Sequence, residues 1–240
     1  MLRLDRLGRS GVFQDVSLEL FPGEVVGIVG LLGSGRTALA RSLFGLEPAD
    51  EGTIYIEDLP VAIRNVVDAM EHRIAYVPED RLTEGLFLEQ SIQRNIVVSV
   101  LDTLRDRLGL LDSARLRESA RGWIGALDIK TSDERTIVAS LSGGNQQKTV
   151  LAKWLATQAR IWILNGPTVG VDIGAKMDIH QRIRRLAERG CGVLVISDDL
   201  PEIAATCRRA LLLHRGRIVE ELGGEELDEK RLLDSLRVFL

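Results

Sequence analysis

The sequence predicts an α/β fold with a mixed sheet, and three features of the chain carry that prediction. An apolar strand pattern at 25–29 runs into a glycine-rich loop and then into a helical pattern, which is the order of a βα unit. From Leu141 onward, helical and strand patterns alternate. The chain has 240 residues, of which 45% are hydrophobic and 28% are charged, so it can bury the core of one large domain.

The N-terminal part is predicted to consist mainly of strands, with antiparallel pairing. Pro22 and Gly23 favour a chain reversal between the first two strands. The second of these, 25–29, is apolar on both faces, as is typical of a central buried strand. The helical pattern after the loop covers 38–44 and ends at Gly45, a residue type common after the last helical turn. The strands predicted in this part are 16–20, 25–29, 52–56 and 73–77.

The middle part of the chain, 91–139, is predicted to be an inserted helical subdomain. Its charges are mixed, and leucines recur there at helical spacing. Examples of that spacing are Leu101, Leu104, Leu108 and Leu111.

The second half of the chain is predicted to return to the α/β core. The predicted elements are helices 145–157, 175–188 and 201–207, strands 161–164 and 193–197, and a hairpin around Arg215–Gly216. The acid-rich stretch 220–234 is predicted to be a solvated helix. We therefore expect a single domain of 1–240, with a core of 1–78 and 146–222, a helical subdomain of roughly 79–145 and a C-terminal tail of 223–240.

The composition excludes several classes of protein. A net charge of -4 argues against a surface dedicated to nucleic acid, so we predict no nucleic-acid partner. Two cysteines are too few for a disulfide framework and lack the spacing of a zinc site. The first thirty residues carry scattered charges instead of a signal-peptide pattern, and no apolar run approaches the ~20 residues that span a bilayer.

A glycine-rich loop at 30–37 matches the spacing of a phosphate-binding loop. Its glycines let backbone N–H groups approach a triphosphate, and the helix that follows directs its positive end at the same place. The loop departs from the usual pattern in carrying arginine where lysine is expected, and its threonine supplies a hydroxyl for Mg²⁺. A tight strand-to-helix turn without a ligand would have similar spacing. The residues predicted to bind the phosphates are Gly30, Gly33, Ser34, Gly35, Arg36 and Thr37.

The string Leu-Ser-Gly-Gly-Asn-Gln-Gln-Lys at 141–148 is the most specific in the chain. Ser142 can cap the predicted helix, and Gly143 and Gly144 leave the first N–H groups of that helix bare. This turn is therefore a second predicted anion receptor. A helix can also begin with Ser-Gly-Gly for structural reasons alone.

Taken together, these strings resemble the nucleotide-binding domain of ABC transporters. The likeness is strongest to the C-terminal ATPase half of tandem importers for ribose, xylose and other monosaccharides, and it extends from about residue 12 to 220. The strings that carry it are Gly-Arg-Thr at 35–37, Val-Pro-Glu-Asp-Arg at 77–81, the octet at 141–148, Gly-Val-Asp-Ile-Gly-Ala-Lys at 170–176 and Ser-Asp-Asp-Leu-Pro-Glu at 197–202.

The resemblance implies ATP and Mg²⁺ as ligands and a second ABC nucleotide-binding domain as partner. In that family two domains face each other head to tail, and each ATP lies between the phosphate loop of one and the signature of the other. The residues that would complete the partner's site are Ser142, Gly143, Gly144 and Gln146, with Asp172 on the loop that crosses between the domains. The family further implies membrane permease subunits, indirectly a sugar-binding protein, and a peripheral location at the cytoplasmic face of the plasma membrane.

The sequence departs from a working ATPase at the end of strand 161–164. The family places there an aspartate that orients Mg²⁺ and then a glutamate that polarises the attacking water. This chain has Asn165 and Gly166, which bring no negative charge and no general base. Loss of a positioned base typically costs about 10² to 10⁴ in rate.

Three further positions differ from the family at large. Arg36 is bulkier than the lysine it replaces. Asp198 stands where a histidine usually lies near the γ-phosphate, and Glu79 stands where a glutamine usually senses Mg²⁺ and couples to the membrane partner. We therefore predict that this chain's own site is degenerate while its signature is intact.

Two alternatives remain open from the sequence. One is a regulatory ABC module that dimerises with nucleotide and takes no part in transport. The other is a competent homodimeric ATPase whose catalytic residue lies elsewhere in the chain. Under the leading interpretation the isolated chain hydrolyses ATP weakly or not at all.

Overall fold

The computed structural model describes residues 1–224 and 227–239. Within them the strands form two sheets, and helices separate most strands of the second. The predicted α/β fold with a mixed sheet is confirmed. Glu225, Glu226 and Leu240, which belong to the predicted tail of 223–240, lie outside the described residues.

The first sheet is antiparallel and has the strand order β2-β1-β4-β5. Its strands are β1 Leu2–Arg9, β2 Phe13–Leu20, β4 Glu51–Ile56 and β5 Leu59–Val61. The sequence prediction missed β1 and β5. In β1 the alternation of buried leucines and less buried charged residues is interrupted by a register shift between Leu4 and Leu7, and β5 is three residues long.

The second sheet has the strand order β10-β9-β3-β8-β7-β6. The pairs β3·β8, β3·β9 and β7·β8 are parallel, and β9·β10 is antiparallel. Its strands are β3 Val25–Val29, β6 Ile74–Val77, β7 Ile161–Asn165, β8 Gly192–Ile196, β9 Arg209–His214 and β10 Arg217–Gly223. The predicted reversal at Pro22–Gly23 therefore connects β2 and β3 across two different sheets instead of pairing them.

The helices of the described residues lie mostly between these strands. They are α1 Arg36–Leu43, α2 Val66–Glu71, α3 Ile92–Val97, α4 Ser113–Ala126, α5 Gly143–Leu155, α6 Ile173–Glu188, α7 Leu200–Thr206 and α8 Glu229–Arg237. None of the helices in the described residues is long and apolar enough to cross a membrane.

The described chain divides into two compact units, each formed from separate stretches. The sheet unit comprises Met1–Tyr76, Ala159–Pro167 and the residues from His180 onward. The helical unit comprises Val77–Gln158 and Thr168–Ile179.

The core of the sheet unit lies on its parallel strands. Every residue of β3, β7 and β8 is buried. Their branched side chains fit a pleated surface that is covered on both faces, which explains why these strands read as continuous apolar runs. Trp162 on β7 is fully buried, and its Nε1 donates to the Ala159 carbonyl at 3.2 Å.

The core of the helical unit is formed by α3, α4 and α5. Its buried side chains include Ile92, Ile96, Ala120, Val138 and Val150. Side chains cap two of these helices: Ser91 accepts from the Arg94 N–H and Asp112 accepts from the Ala114 N–H.

The leucine spacing of 101–111, which supported the predicted helical subdomain of 91–139, does not correspond to a regular helix. A 3₁₀ segment, Val98–Leu104, follows α3, and Arg105 bridges to Leu111 around a turn. Leu108 in that turn is 83% exposed, so the leucine spacing there does not mark a helix face. Asp106 accepts from the Leu108 and Leu110 N–H groups, which stabilises the turn against a helix.

The prediction for the acidic stretch 220–234 also needs correction. Residues 217–223 form β10, and among the described residues of the stretch the helical part is the one from Glu229 onward. In α8 the Leu232 side chain is buried, so this helix packs with one face instead of being solvated all round.

Candidate functional site

The predicted phosphate loop lies in the sheet unit, between the buried strand β3 and α1. Gly33 and Gly35 have φ values of +79° and +98°, a backbone region that favours glycine. A Cβ at Gly30 would lie 2.6 Å from the Ser34 hydroxyl oxygen, so this position also requires glycine. Among the described residues no side chain caps α1, which leaves its first N–H groups for an anion.

Ser34 within this loop is buried, and its hydroxyl oxygen has no hydrogen-bond partner among the described residues. An unpaired buried hydroxyl costs about 1–3 kcal/mol. A polar ligand seated in the loop would relieve that cost. The loop geometry and this orphan hydroxyl together fit a phosphate group.

Arg36, at the position of the usual lysine, is turned back onto the protein. One guanidinium nitrogen, Nη1, donates to the Gly30 carbonyl of the same loop. The other, Nη2, lies 3.1 Å from the Asp198 carboxylate. The Arg36 side chain is 11% exposed and that of Asp198 is 71% exposed. A largely buried arginine is therefore paired with an exposed carboxylate.

The end of β7 faces the threonine of the phosphate loop. The Asn165 amide Nδ2 lies 3.5 Å from the Thr37 hydroxyl oxygen, and Asn165 is 2% exposed. An N–H donor therefore faces the predicted Mg²⁺ ligand, where an aspartate would present an anionic oxygen. The fit to Mg²⁺ is consequently poorer than the fit to phosphate.

Gly166, the next residue, adopts a conformation that suits only a few residue types. Its φ is +58°, and its N–H donates to the Ile196 carbonyl at 2.7 Å. The left-handed backbone is unfavourable for a glutamate by about 1–2 kcal/mol. Position 166 therefore carries no side chain, and its backbone conformation disfavours a glutamate there.

The signature string lies in the helical unit, at the N-terminus of α5. Ser142 occupies the N-cap position, but its hydroxyl accepts from the Asn145 amide at 2.9 Å and does not cap the helix. The Asn145 Oδ1 in turn accepts from the Lys130 N–H at 2.9 Å. The predicted side-chain cap is thus wrong, and the first N–H groups of α5 have no side-chain partner among the described residues.

Gly143 and Gly144 are required by packing inside the helical unit. A Cβ at Gly143 would lie 2.8 Å from the Gly170 carbonyl oxygen, and one at Gly144 would lie 2.8 Å from the Ala175 Cβ. The same Gly144 position is 3.6 Å from an Asp172 carboxylate oxygen. The structure therefore brings the predicted residues of 142–144 together with Asp172.

Asp172 and Glu79 are both exposed and belong to the helical unit. Asp172 accepts from the Ala175 N–H at 2.9 Å, so its carboxylate also caps the start of α6. Next to Glu79, Asp80 caps the π-helical turn Arg81–Gly85 and accepts from the Thr83 hydroxyl at 2.7 Å. That hydroxyl bond, and to a smaller extent the Leu82 and Thr83 N–H groups, lowers the pKa of Asp80.

The structure thus assigns the predicted site residues to two units. The loop of 30–37, Asn165, Gly166 and Asp198 lie in the sheet unit. The signature residues, Gln146 among them, Asp172 and Glu79 lie in the helical unit. In the first group Arg36 contacts Asp198 and Asn165 lies next to Thr37, and in the second group Gly144 packs against Asp172.

The sequence pattern predicts no role for Arg81, which is the last residue of the string Val-Pro-Glu-Asp-Arg at 77–81. The guanidinium of Arg81 contacts Val169, Gly170 and Gln146 within the helical unit. The only available signal was its position two residues after Glu79.

The described residues contain no group of three or more histidine, cysteine, aspartate or glutamate side chains that could hold a metal ion. His180 is buried and its Nε2 lies 3.1 Å from Glu202. Cys191 and Cys207 are free thiols, and burial raises the pKa of Cys207 to about 12.

Sequence comparison identifies the family. The profile of the family described as "ABC transporter" matches residues 13–169. The chain belongs to the ABC transporter family. It is one of that family's ATP-binding domains.

Relatives of this ABC domain include three proteins whose names refer to sugar import. It is 42% identical over 232 residues to "Ribose import ATP-binding protein RbsA" of Geobacillus kaustophilus, covering 97% of this chain and 47% of that protein. The protein of the same name from Cereibacter sphaeroides is 44% identical over 233 residues, with 97% and 46% covered. A "Putative ribose/galactose/methyl galactoside import ATP-binding protein" of Hahella chejuensis is 40% identical over 234 residues, with 98% and 45% covered. The chain therefore spans about half the length of these relatives.

Solved structures share the fold of this ABC domain. A nucleotide-free ATP-binding cassette from an ABC transporter superimposes with a TM-score of 0.82 at 22% identity, over 98% of this chain and 95% of that one. A dimeric cassette in a post-hydrolysis state with bound ADP and Pi gives a TM-score of 0.79 at 21% identity, over 93% and 98%.

Proposed function

We propose that this chain is the ATP-binding half of a monosaccharide importer. The names of its relatives and its half-length match to them support this assignment. Its partners are then a second ABC nucleotide-binding domain and membrane permease subunits, with a sugar-binding protein that supplies the sugar. The chain works peripherally, at the cytoplasmic face of the membrane.

Within that importer the two halves of the domain have different roles. The signature turn of 142–144 completes the ATP site on the partner domain, with Asp172 beside it. The chain's own phosphate loop holds a nucleotide with little or no turnover. The contacts of Arg36, which donates to Gly30 and pairs with Asp198, are the observation that carries this proposal.

The phosphate loop would hold ATP through the backbone N–H groups of 33–37 and the Ser34 hydroxyl. Its glycine conformations and the unpaired Ser34 oxygen support this role. Mg²⁺, when bound, neutralises phosphate charge, and Thr37 would be its protein ligand. Asn165 offers Thr37 an N–H at 3.5 Å and no carboxylate, which favours a weak metal site.

Hydrolysis in this chain's own site lacks a general base. Gly166 has no side chain, and Asp198 points a carboxylate at Arg36 rather than a donor at a γ-phosphate. A missing base alone accounts for a loss of about 10² to 10⁴ in rate, or ~3–5 kcal/mol of barrier. The partner's site, which this chain completes, would then carry most of the turnover.

Substitution on the two sides of the domain tests the proposal in the complete importer protein with its membrane subunits. Ser142→Ala is expected to lower ATP turnover about tenfold or more, because it alters the turn that faces the partner's triphosphate. Asn165→Ala is expected to change turnover by less than about threefold, because no catalytic carboxylate is lost there. If Asn165→Ala lowers ATP turnover as much as Ser142→Ala does, or more, the chain hydrolyses ATP in its own site.

A further inference from the structure

One arginine of the helical unit ties together three strings that the proposed function uses. Arg81 begins the π-helical turn Arg81–Gly85, two residues after Glu79. Its Nη1 donates to the Val169 carbonyl at 2.7 Å, and its Nη2 donates to the Gly170 carbonyl at 3.1 Å. Because the guanidinium is a planar fork, it can hold two consecutive carbonyls at once.

The same guanidinium contacts the start of α5. Its Nε donates to the Gln146 Oε1 at 3.4 Å, and a Cβ at Gly143 would lie 2.8 Å from its Nη2. Gln146 is buried and its Nε2 donates to the Val138 carbonyl at 3.3 Å. The side chain of Arg81 therefore occupies the space beside Gly143 and reaches both the signature helix and the crossing loop of 168–172.

Packing on the other side of the signature completes this arrangement. Gly144 lies against Ala175 and Asp172, and Lys148 on α5 pairs with Asp178 on α6 at 2.8 Å. Those contacts hold α5 to the start of α6. The carbonyls of 169–170 instead accept hydrogen bonds from Arg81. Among the described residues, the hydrogen bonds of Arg81 to the Val169 and Gly170 carbonyls therefore help to set the position of this loop relative to the signature turn.

We propose that Arg81 is a positioning residue for the ATP site that the signature completes on the partner domain. It fixes the turn of 142–144 against the loop of 168–172, so that both face the partner's triphosphate in one geometry. It also joins both to the segment that carries Glu79, so a displacement of that segment moves the signature. This inference rests on the proposed function, because it requires the signature to serve a partner's site.

Lysine at position 81 distinguishes the fork from the charge alone. Arg81→Lys keeps one positive charge but can donate to only one of the two carbonyls in a fixed direction. In the complete importer protein with its membrane subunits, we expect kcat for ATP to fall about tenfold or more, with a melting temperature within about 2 °C of the wild type.

Arg121 provides a matched control in the same unit. Its Nε and Nη2 donate to Glu134 at 3.0 and 3.4 Å, so Arg121→Lys also breaks a two-pronged contact. Within the described part of the chain, Arg121 has no hydrogen bond to the signature or to 168–172. We expect its substitution to leave kcat within about twofold of the wild type.

A double-variant cycle with Ser142→Ala separates positioning from general structural support. If Arg81 acts through the signature, Arg81→Lys causes little further loss in the Ser142→Ala protein. If the double variant shows a loss in kcat equal to the product of the two single-variant losses, the inference is overturned. If Ser142→Ala lowers kcat for ATP while Arg81→Lys leaves it unchanged, the inference about Arg81 fails and the proposed function stands. Should Ser142→Ala itself have no effect, both fail.

If Arg81→Lys does not accumulate as folded protein, Arg81→Gln takes its place in the same cycle. Glutamine retains two N–H donors on a shorter, neutral side chain. The expected loss and its dependence on Ser142 are unchanged, and multiplying losses again overturn the inference.

Discussion

The Asp198 carboxylate lies 3.1 Å from the Arg36 guanidinium, whose other nitrogen donates to the Gly30 carbonyl of the phosphate loop. The positive charge at the usual lysine position is therefore shared between a loop carbonyl and an acidic side chain. An incoming triphosphate has to compete with Asp198 for that charge. It also meets the negative charge of Asp198 itself.

Asp198→Asn is expected to strengthen nucleotide binding by this chain's own loop. Removing one exposed carboxylate near the phosphates is worth about 0.5–1 kcal/mol, or roughly a two- to fivefold lower Kd for ATP. The gain is expected to shrink at high salt, because exposed charges are screened. Isothermal titration with ATP at two ionic strengths measures both effects.

Asp102→Asn is the matched control for that experiment. Asp102 is also an exposed carboxylate paired with an arginine, Arg105, at 2.9 Å, but it lies in the helical unit. Its substitution is expected to leave the Kd unchanged. An Asp198→Asn protein that binds ATP as weakly as the wild type would contradict the competition described here.

Gly166→Glu is expected to destabilise the protein although it restores the residue type that a working ATPase has there. At φ +58° a side chain costs about 1–2 kcal/mol, and the site is buried, which disfavours a carboxylate further. Urea denaturation should show a lower free energy of unfolding, and ATP turnover should stay at the wild-type level.

Gly122→Glu serves as its control. Gly122 lies in α4, is exposed and has open space around the added side chain. A helix-forming residue at such a position stabilises by about 0.5–1 kcal/mol. Equal effects of the two substitutions on stability would mean that the backbone at 166 imposes no constraint.

The sequence predicted the sheet unit's parallel strands because β3, β7 and β8 are apolar without interruption. A five-residue apolar run rich in β-branched residues is typical of a strand that is buried on both faces, and it is too short for an ordinary buried helix. It predicted the phosphate loop from glycines whose backbone conformation is a local requirement, as at Gly33 and Gly35. A requirement of the local backbone leaves a pattern that can be recognised in a single sequence.

Contacts between distant residues could not be predicted in the same way. Arg36 and Asp198 are far apart in sequence, and the local sequence pattern does not predict that Arg36 donates to the Gly30 carbonyl. The leucines of 101–111 gave a false helical period because Asp106 supports a turn that propensity does not reveal. The hydrogen bonds of Arg81 to Val169 and Gly170 also join residues that are distant in sequence, so the local pattern could not predict them.

Gly143→Ala is expected to destabilise the helical unit by about 1–3 kcal/mol. The added Cβ would lie 2.8 Å from the Gly170 carbonyl oxygen, and backbone cannot move aside as a flexible side chain can. Gly125→Ala in α4 has open space and is expected to stabilise by about 0.5–1 kcal/mol. Thermal denaturation of both variants measures the contrast, and similar melting temperatures would remove the packing argument for the signature glycine.

The buried Lys153 gives the helical unit a pH dependence of stability. Lys153 is 8% exposed and its Nζ donates to the Gly85 carbonyl at 2.7 Å. Burial lowers the pKa of Lys153 from 10.5 to about 8. Between those two values the unfolded chain binds a proton that the folded chain has released, so this residue makes the free energy of unfolding rise with pH across that window.

Comparison with Lys153→Met isolates that contribution. The pKa of Cys207, raised by burial to about 12, acts in the opposite direction above its ordinary value, but it is present in both proteins and cancels. The free energy of unfolding of the wild type, minus that of Lys153→Met, is expected to rise by up to about 3 kcal/mol between pH 8 and 10.5 and to be flat below pH 8. Urea denaturation across this range measures it. A difference that stays constant or falls would mean that Lys153 is not held in a desolvated site beneath the Arg81–Gly85 turn.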